Sequence, residues 1–159
     1  MTQPVRVLAD GWELTGTGRF GGTGSLSRHL YRALARRDDV DLAVLATDTA
    51  AVPDPARPVA MRRRWSERRR SLYEHEGLIS LTVRGHCSDV VYSPVLHGIP
   101  FAGRPYVQTL HDVIPLARPE PGLELHRKWW RRWARTYRRA DTVVAVSRHS
   151  ADEGIRLLG

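Results

Sequence analysis

Two rhythms of apolar and polar positions alternate along the chain. Val5-Arg6-Val7-Leu8-Ala9 is a short apolar run of the kind that forms a strand. A glycine-rich loop from Gly11 to Gly24 follows it. Ser25 to Arg37 then places Leu26, Leu30, Ala33 and Leu34 on one face at helical spacing. Asp41 to Ala46 reads as a second strand, and Ala50 to Pro58, with Pro53, Pro55 and Pro58, as a loop. Ser66 to Arg84 has Leu72, Ile79 and Val83 among its apolar positions and predicts a helix. Asp89 to Tyr92 and Tyr106 to Leu110 are further strands, and Leu123 to Ala140 is a strongly amphipathic helix. Thr142-Val143-Val144-Ala145-Val146 is apolar enough to predict a buried strand. A last helix starts near Ser147 to Ser150, where Ser147 suits an N-cap and Ser150 and Glu153 have capping-box spacing. Strands alternating with helices predict an α/β fold, a Rossmann-like three-layer αβα domain with a mainly parallel sheet.

Length and composition narrow this picture without redirecting it. A chain of 159 residues suits one compact domain, expected to span residues 1–159. It has no apolar run long enough to cross a membrane, no signal-peptide pattern at Met1-Thr2-Gln3-Pro4, and a single cysteine, Cys87. Together these predict a cytoplasmic protein. The net charge of +8 raises the prospect of an anionic partner. Yet Lys128 is the only lysine among 25 basic residues, so the arginine excess reads first as the codon bias of a GC-rich bacterial genome.

Three places carry candidate chemistry, each expected just beyond the carboxyl end of a strand, where open α/β sheets bind ligands. The first is the glycine-rich loop. Gly16-Thr17-Gly18-Arg19-Phe20-Gly21 matches the dinucleotide pattern G-x-G-x-x-G in form only, since it does not directly follow its strand or lead into the helix. Gly21-Gly22-Thr23-Gly24 stands directly before the helix, where glycines let backbone approach a ligand and free N–H groups can meet an anion; an ordinary turning loop is the alternative. The second is His111-Asp112, a titratable pair leaving a strand, either meeting a substrate or held as a loop histidine. The third is Ser147-Arg148-His149-Ser150, where a cap and a ligand contact can coexist. No close metal-ligand spacing occurs among the seven histidines, so no metal and no cofactor is expected.

Taken in order, these segments resemble the N-terminal domain of glycosyltransferase family 4, retaining enzymes of two-Rossmann GT-B architecture. Gly21 to Gly24 with the following helix is similar to the family's glycine-rich loop. Asp89-Val90-Val91-Tyr92-Ser93-Pro94 is similar to its middle strand, Thr109 to Leu116 to its His-Asp loop, and Ala140 to Ser147 with Ser150 to the segment closing the domain. One departure concerns the Arg-Tyr that commonly follows the glycine loop: Ser25-Leu26 stands there, leaving nearby Arg19 as the substitute. The resemblance implies an enzyme moving a sugar from a nucleotide-sugar donor to the hydroxyl of an acceptor sugar or lipid-linked acceptor. It implies catalytic His111 and Asp112, and substrate contacts from Arg19, Gly21, Gly22, Gly24 and Ser147. It also implies that most donor contacts belong to a C-terminal domain expected beyond Gly159, so that this chain alone would be inactive.

Two rival readings stand beside it. A basic α/β nucleic-acid-binding module would use Arg62-Arg63-Arg64-Trp65 and Arg68-Arg69-Arg70; a dinucleotide-binding oxidoreductase domain would use the glycine pattern. Helical projection of residues 123–140 gathers Trp129, Trp130, Trp133, Ala134, Tyr137 and Ala140 in one arc, and Arg127, Lys128, Arg131, Arg132, Arg135, Arg138 and Arg139 in the opposing one. The aromatic arc is expected to be core. The basic arc is expected to be solvated, with weak peripheral contact to anionic membrane at the inner face of the cell as a further expectation.

Overall fold

The computed structural model describes residues 3–15, 17–61, 82–96, 98, 103–117 and 124–159. Six strands form one sheet: β1 (Val5–Asp10), β2 (Val40–Ala46), β3 (Arg57–Ala60), β4 (Val90–Ser93), β5 (Tyr106–Leu110) and β6 (Thr142–Ala145). Every pairing is parallel and the strand order is β3-β2-β1-β4-β5-β6. That is the doubly wound order in which the winding reverses between β1 and β4. The helices are α1 (Trp12–Thr15), α2 (Gly22–Leu34), α3 (Ile114–Ala117), α4 (Glu124–Tyr137) and α5 (Arg148–Leu158), with a 3-10 turn at Thr17–Phe20. The expected helix from Ser66 to Arg84 and the arginine clusters at 62–64 and 68–70 lie outside the described residues, apart from a helical turn at 82–85.

Period-two alternation along the strands sorts the core onto two faces. Leu8, Ala43, Leu45, Val91 and Tyr106 pack on one side. Ala9, Leu42, Val44 and Tyr92 pack on the other, where Tyr31 of α2 meets them. Trp130, Ala134 and Tyr137 of α4 and Leu158 of α5 close a third cluster on Leu110. The Rossmann-like three-layer arrangement read from the alternation is the one observed.

Four details differ from the sequence reading. α2 begins at Gly22 rather than Ser25, so Gly22, Thr23 and Gly24 are its first turn and not a loop before it. Gly24, Ser27 and Tyr31 are its buried positions, and that packing outweighs the low helix propensity of glycine. The stretch read as loop at Ala50 to Pro58 holds a 3-10 turn and the start of β3. Pro58 is tolerated there because β3 is an edge strand, where a missing N–H need not break the ladder. β6 is not buried: Val143 is 41% exposed and Val144 49%, because β6 is the opposite edge. Finally, the capping-box spacing of Ser150 and Glu153 closes no box: Ser147 caps α5 as expected, its oxygen accepting from the Ser150 backbone N–H, while Glu153 pairs with Arg156 at 2.6 Å.

An ion pair fastens the strands that flank the switch point. Arg6 donates from Nη2 to Asp89 Oδ1 at 2.6 Å and from its backbone N–H to Oδ2 at 2.9 Å, and the Asp89 N–H returns a bond to the Arg6 carbonyl at 2.8 Å. The Arg6 side chain, then the Arg6 backbone, hold the Asp89 carboxyl down at about 2. An unfolded aspartate titrates near ~3.9. The pair's contribution is therefore fully present above that value and lost as pH falls toward about 2. It is modest, because both groups are half exposed. Asp89→Asn is expected to lower the melting temperature slightly at neutral pH, with parent and variant converging below pH ~2 in a thermal-melt series; a constant gap at every pH would assign the loss to something other than this charge pair.

Candidate functional site

Because all strands run parallel, their carboxyl ends share one edge of the sheet, and the described site residues gather there. At the end of β1 the chain turns tightly. Gly11 donates to the Leu45 carbonyl at 2.7 Å, and a Cβ at Gly11 would lie 2.4 Å from that same oxygen. Only glycine fits this approach. Asp10, fully buried, accepts from the Trp12 N–H at 3.0 Å and starts α1. The Tyr31 hydroxyl donates to the Asp10 carbonyl. Burial, with the Asp10 charge adding to it, pushes the Tyr31 phenol well up, so it remains a donor.

The glycine segment is more regular than its composition implied. Gly21 is the extended N-cap of α2 and offers no side-chain cap. Gly21 and Gly22 are exposed while Gly24 is buried. Glu13 of α1 accepts from the Thr23 hydroxyl at 3.0 Å, which puts one of the chain's own carboxylates against the first turn of α2. An anion approaching that turn meets this carboxylate as well as the free N–H groups. Sequence reasoning passed over Glu13; its position three residues after a strand-ending Asp10 was the available signal. Arg19 lies in the exposed 3-10 turn with its guanidinium over the Phe20 ring at 4.3 Å.

His111 and Asp112 leave β5. The His111 Nε2 lies 2.6 Å from the Pro94 carbonyl oxygen at the end of β4. A carbonyl can only accept, so Nε2 carries the proton and Nδ1 of the neutral ring is an acceptor. Among the described residues nothing hydrogen-bonds to Nδ1. Asp112 spends Oδ1 on the Ile114 N–H at 3.0 Å, which starts α3. Ser150 donates its hydroxyl to the His111 carbonyl at 2.8 Å, and Ser147 Oγ lies 3.0 Å from Ser150 Oγ. His111, Ser150 and Ser147 are thus one connected group spanning β5 and α5. Gly154 makes the close approach possible, since a Cβ there would stand 2.5 Å from Leu110 Cδ2. The glycine segment is two strands away, ~10 Å at normal strand spacing. It shares the edge with this group without touching it.

A cavity of about 430 Å³ opens between α3 and α5, lined by Asp112, Val113, Ile114, Ala117, His149, Ser150, Glu153 and Arg156. Apart from Asp112, its polar wall comes from the final helix: His149 and Ser150 belong to the segment where the sequence allows both a cap and a ligand contact, whereas Glu153 stands out there only by its capping-box spacing. No group of three or more potential metal ligands occurs among the described residues.

The aromatic arc of α4 is core: Trp130 is 2% exposed and Tyr137 4%, and their rings stack at 5.9 Å. Lys128, Arg131 and Arg135 are exposed on the opposite side, while Arg138 donates from Nε to the Leu158 carbonyl at 2.7 Å and so ties α4 to α5. No described helix is long and apolar enough to cross a membrane.

Comparison with known proteins gives three results. The family model described as Glycosyltransferase Family 4 matches residues 20–159. No curated protein matches the chain. Among solved structures, the oxidoreductase ylbE from Lactococcus lactis is similar at 10% identity and a TM-score of 0.48, over 89% of this chain and 67% of that one, a likeness too low to carry an argument.

Proposed function

The chain belongs to glycosyltransferase family 4, and from that premise we propose that it is the acceptor-side domain of an enzyme transferring a sugar, with retention, from a nucleotide-sugar donor to an acceptor hydroxyl. In the transfer, the bond between the anomeric carbon and the donor phosphate breaks and the nucleoside diphosphate departs. The acceptor oxygen bonds to the anomeric carbon, and its proton passes to the departing phosphate. The observation that carries the reading is the connected group at the β4–β5–α5 edge. His111, held by Pro94, presents Nδ1 as a fixed acceptor for a sugar hydroxyl, and Ser150 and Ser147 steady the same loop. Preorganised partners of this kind are what a polar transition state requires.

In this reading most contacts to the nucleotide come from a second domain, and the Gly21–Gly24 turn and Arg19 lie near the donor phosphates or the acceptor. Glu13 at that turn favours the acceptor, because its charge opposes a phosphate placed there. The 159-residue chain alone is expected to bind nucleotide sugars no tighter than ~1 mM, and the complete enzyme to release nucleoside diphosphate when acceptor is added. Calorimetric titration with a panel of nucleotide sugars checks the first expectation, and a coupled diphosphate assay the second. Micromolar binding by the chain alone would overturn the division of labour between two domains.

The exposed basic side of α4 supports a second property, weak salt-sensitive contact with anionic membrane on the cytoplasmic side. Each surface cation near such a membrane is worth ~1 kcal/mol. A variant with Lys128, Arg131 and Arg135 all changed to glutamine is expected to lose co-sedimentation with phosphatidylserine vesicles at low salt. Equal sedimentation of parent and variant would make this side a solvated surface. A salt titration with RNA separates the nucleic-acid alternative, whose affinity would fall steeply with salt.

A further inference from the structure

The paired register of β4 with β5 ends at Ser93 and Gln108. From Pro94 onward, the bonds that hold this segment to β5 among the described residues come from side chains. His111 Nε2 donates to the Pro94 carbonyl at 2.6 Å. Gln108 Nε2 faces the carbonyls of Val95 and Leu96, at 3.4 and 3.3 Å. The segment 94–96 is therefore fastened twice, from two side chains near the carboxyl end of β5.

Gln108 is an unexpected residue for its place. It is fully buried on an internal strand of a parallel sheet, where apolar side chains are the rule. Its neighbours set the amide's orientation: two carbonyls can only accept, so the nitrogen must face them. The amide oxygen then has no hydrogen-bond partner among the described residues, and neither has the hydroxyl of Ser93 at the paired position of β4. A buried acceptor left unpaired lowers stability, and an apolar side chain of the same length would avoid that loss. The surroundings nevertheless hold the amide closely. Gly98 has a φ of +62°, and a Cβ there would lie 2.6 Å from Gln108 Nε2 and 2.6 Å from Thr136 Oγ1. Thr136 donates to the Trp133 carbonyl at 2.7 Å. The Tyr137 hydroxyl, which donates to the Thr109 carbonyl at 3.1 Å, also borders the amide. Stability gives no reason for an amide here; the two carbonyls that it restrains do.

We propose that Gln108 is a positioning residue for His111. Its amide, closed in by Gly98, pins the Val95 and Leu96 carbonyls, and so keeps the adjoining Pro94 carbonyl where the His111 Nε2–H can reach it. The ring then stays oriented with Nδ1 as the free acceptor. The value of that orientation to catalysis rests on the glycosyltransferase reading; the restraint itself does not.

Exchange of the His111 Nε2–H with water reads the restraint in the 159-residue chain, isotope-labelled at histidine, by NMR with saturation of the water signal. The signal is assigned by its loss in His111→Ala. Gln108→Met is expected to speed this exchange about tenfold while the melting temperature stays at or above the parent's. Gly98→Ala, which drives a methyl group into the amide from the other side, should speed it likewise. Ser93→Ala removes the other unpaired buried oxygen without touching residues 94–96, and should leave the exchange at the parental rate. The proposal is overturned if folded Gln108→Met exchanges like the parent, or if Ser93→Ala speeds exchange as much. Should neither Gln108→Met nor Gly98→Ala fold, the parent decides: nuclear Overhauser contacts from the Gln108 amide protons to Val95 and Leu96 are expected, and their absence overturns the proposal. In the complete enzyme, Gln108→Met should lower kcat about tenfold at unchanged KM. In a His111→Ala background it should add nothing, because both changes act through one ring. A further fall there would mean that Gln108 acts apart from His111, and overturns the proposal. Failure of the complete enzyme to consume any nucleotide sugar would instead remove the glycosyltransferase reading, with the exchange rates still deciding whether Gln108 restrains His111.

Discussion

His111→Ala in the complete enzyme is expected to lower kcat about 100-fold or more, while the protein still folds. The expectation follows from the division of labour between the ring nitrogens. Nε2 is committed to the Pro94 carbonyl at 2.6 Å, which fixes the ring's orientation and leaves Nδ1 as a preorganised acceptor at the carboxyl edge of β5. Removing the ring also strands the buried Pro94 carbonyl, a loss of ~1–3 kcal/mol in stability. The two effects are separable: a thermal melt reads the tether, and steady-state kinetics below the melting temperature read the chemistry. A variant with kcat within about threefold of the parent, and only the melt changed, would reduce His111 to the tether between β4 and β5.

Trp130→Ala should cost ~3–5 kcal/mol of folding stability, a large share of the ~5–15 kcal/mol of an ordinary domain. Trp130 is 2% exposed, stacks on Tyr137 with an interplanar angle of 11°, and meets Trp133 edge-on at 5.9 Å. These rings pack against Leu110 and Leu158, and a void the size of an indole is costly in a close-packed interior. Denaturant titration should show the midpoint falling while Arg131→Ala, one position along the same helix and exposed, stays within ~0.5 kcal/mol of the parent. A loss under ~1 kcal/mol for Trp130→Ala would mean that the aromatic side of α4 is not core.

Much of the fold was legible because periodicity is a local property. The apolar run Tyr106 to Leu110 marks β5 with its observed limits, and projection alone separates the two sides of α4, since burial of one arc of a helix leaves a 3.6-residue signature. Ser147 is legible as a cap because a serine directly before a helix has a local backbone N–H to accept from. The family was legible for a related reason: glycine turn, His-Asp loop and closing strand all lie at strand ends in a set order. What each site residue does there was not legible, because Pro94 approaches His111 across 17 positions of sequence and Ser150 across 39.

By itself, then, the sequence determined which segments are strands and helices, that they alternate into a parallel α/β domain, and which strand ends hold candidate chemistry. Only the tertiary structure decided which strands stand at the edges. Thr142 to Ala145 has the composition of a buried strand but pairs with β5 alone, so its valines remain exposed. Tertiary packing also drew Gly22 to Gly24 into α2, set Glu13 against that turn, and joined His111 to Ser150 and Ser147. The physical reason is common to all of these. Neighbours along the chain fix period and propensity, whereas exposure, hydrogen-bond partners and cavity walls depend on residues brought together from distant parts of the chain by strand order.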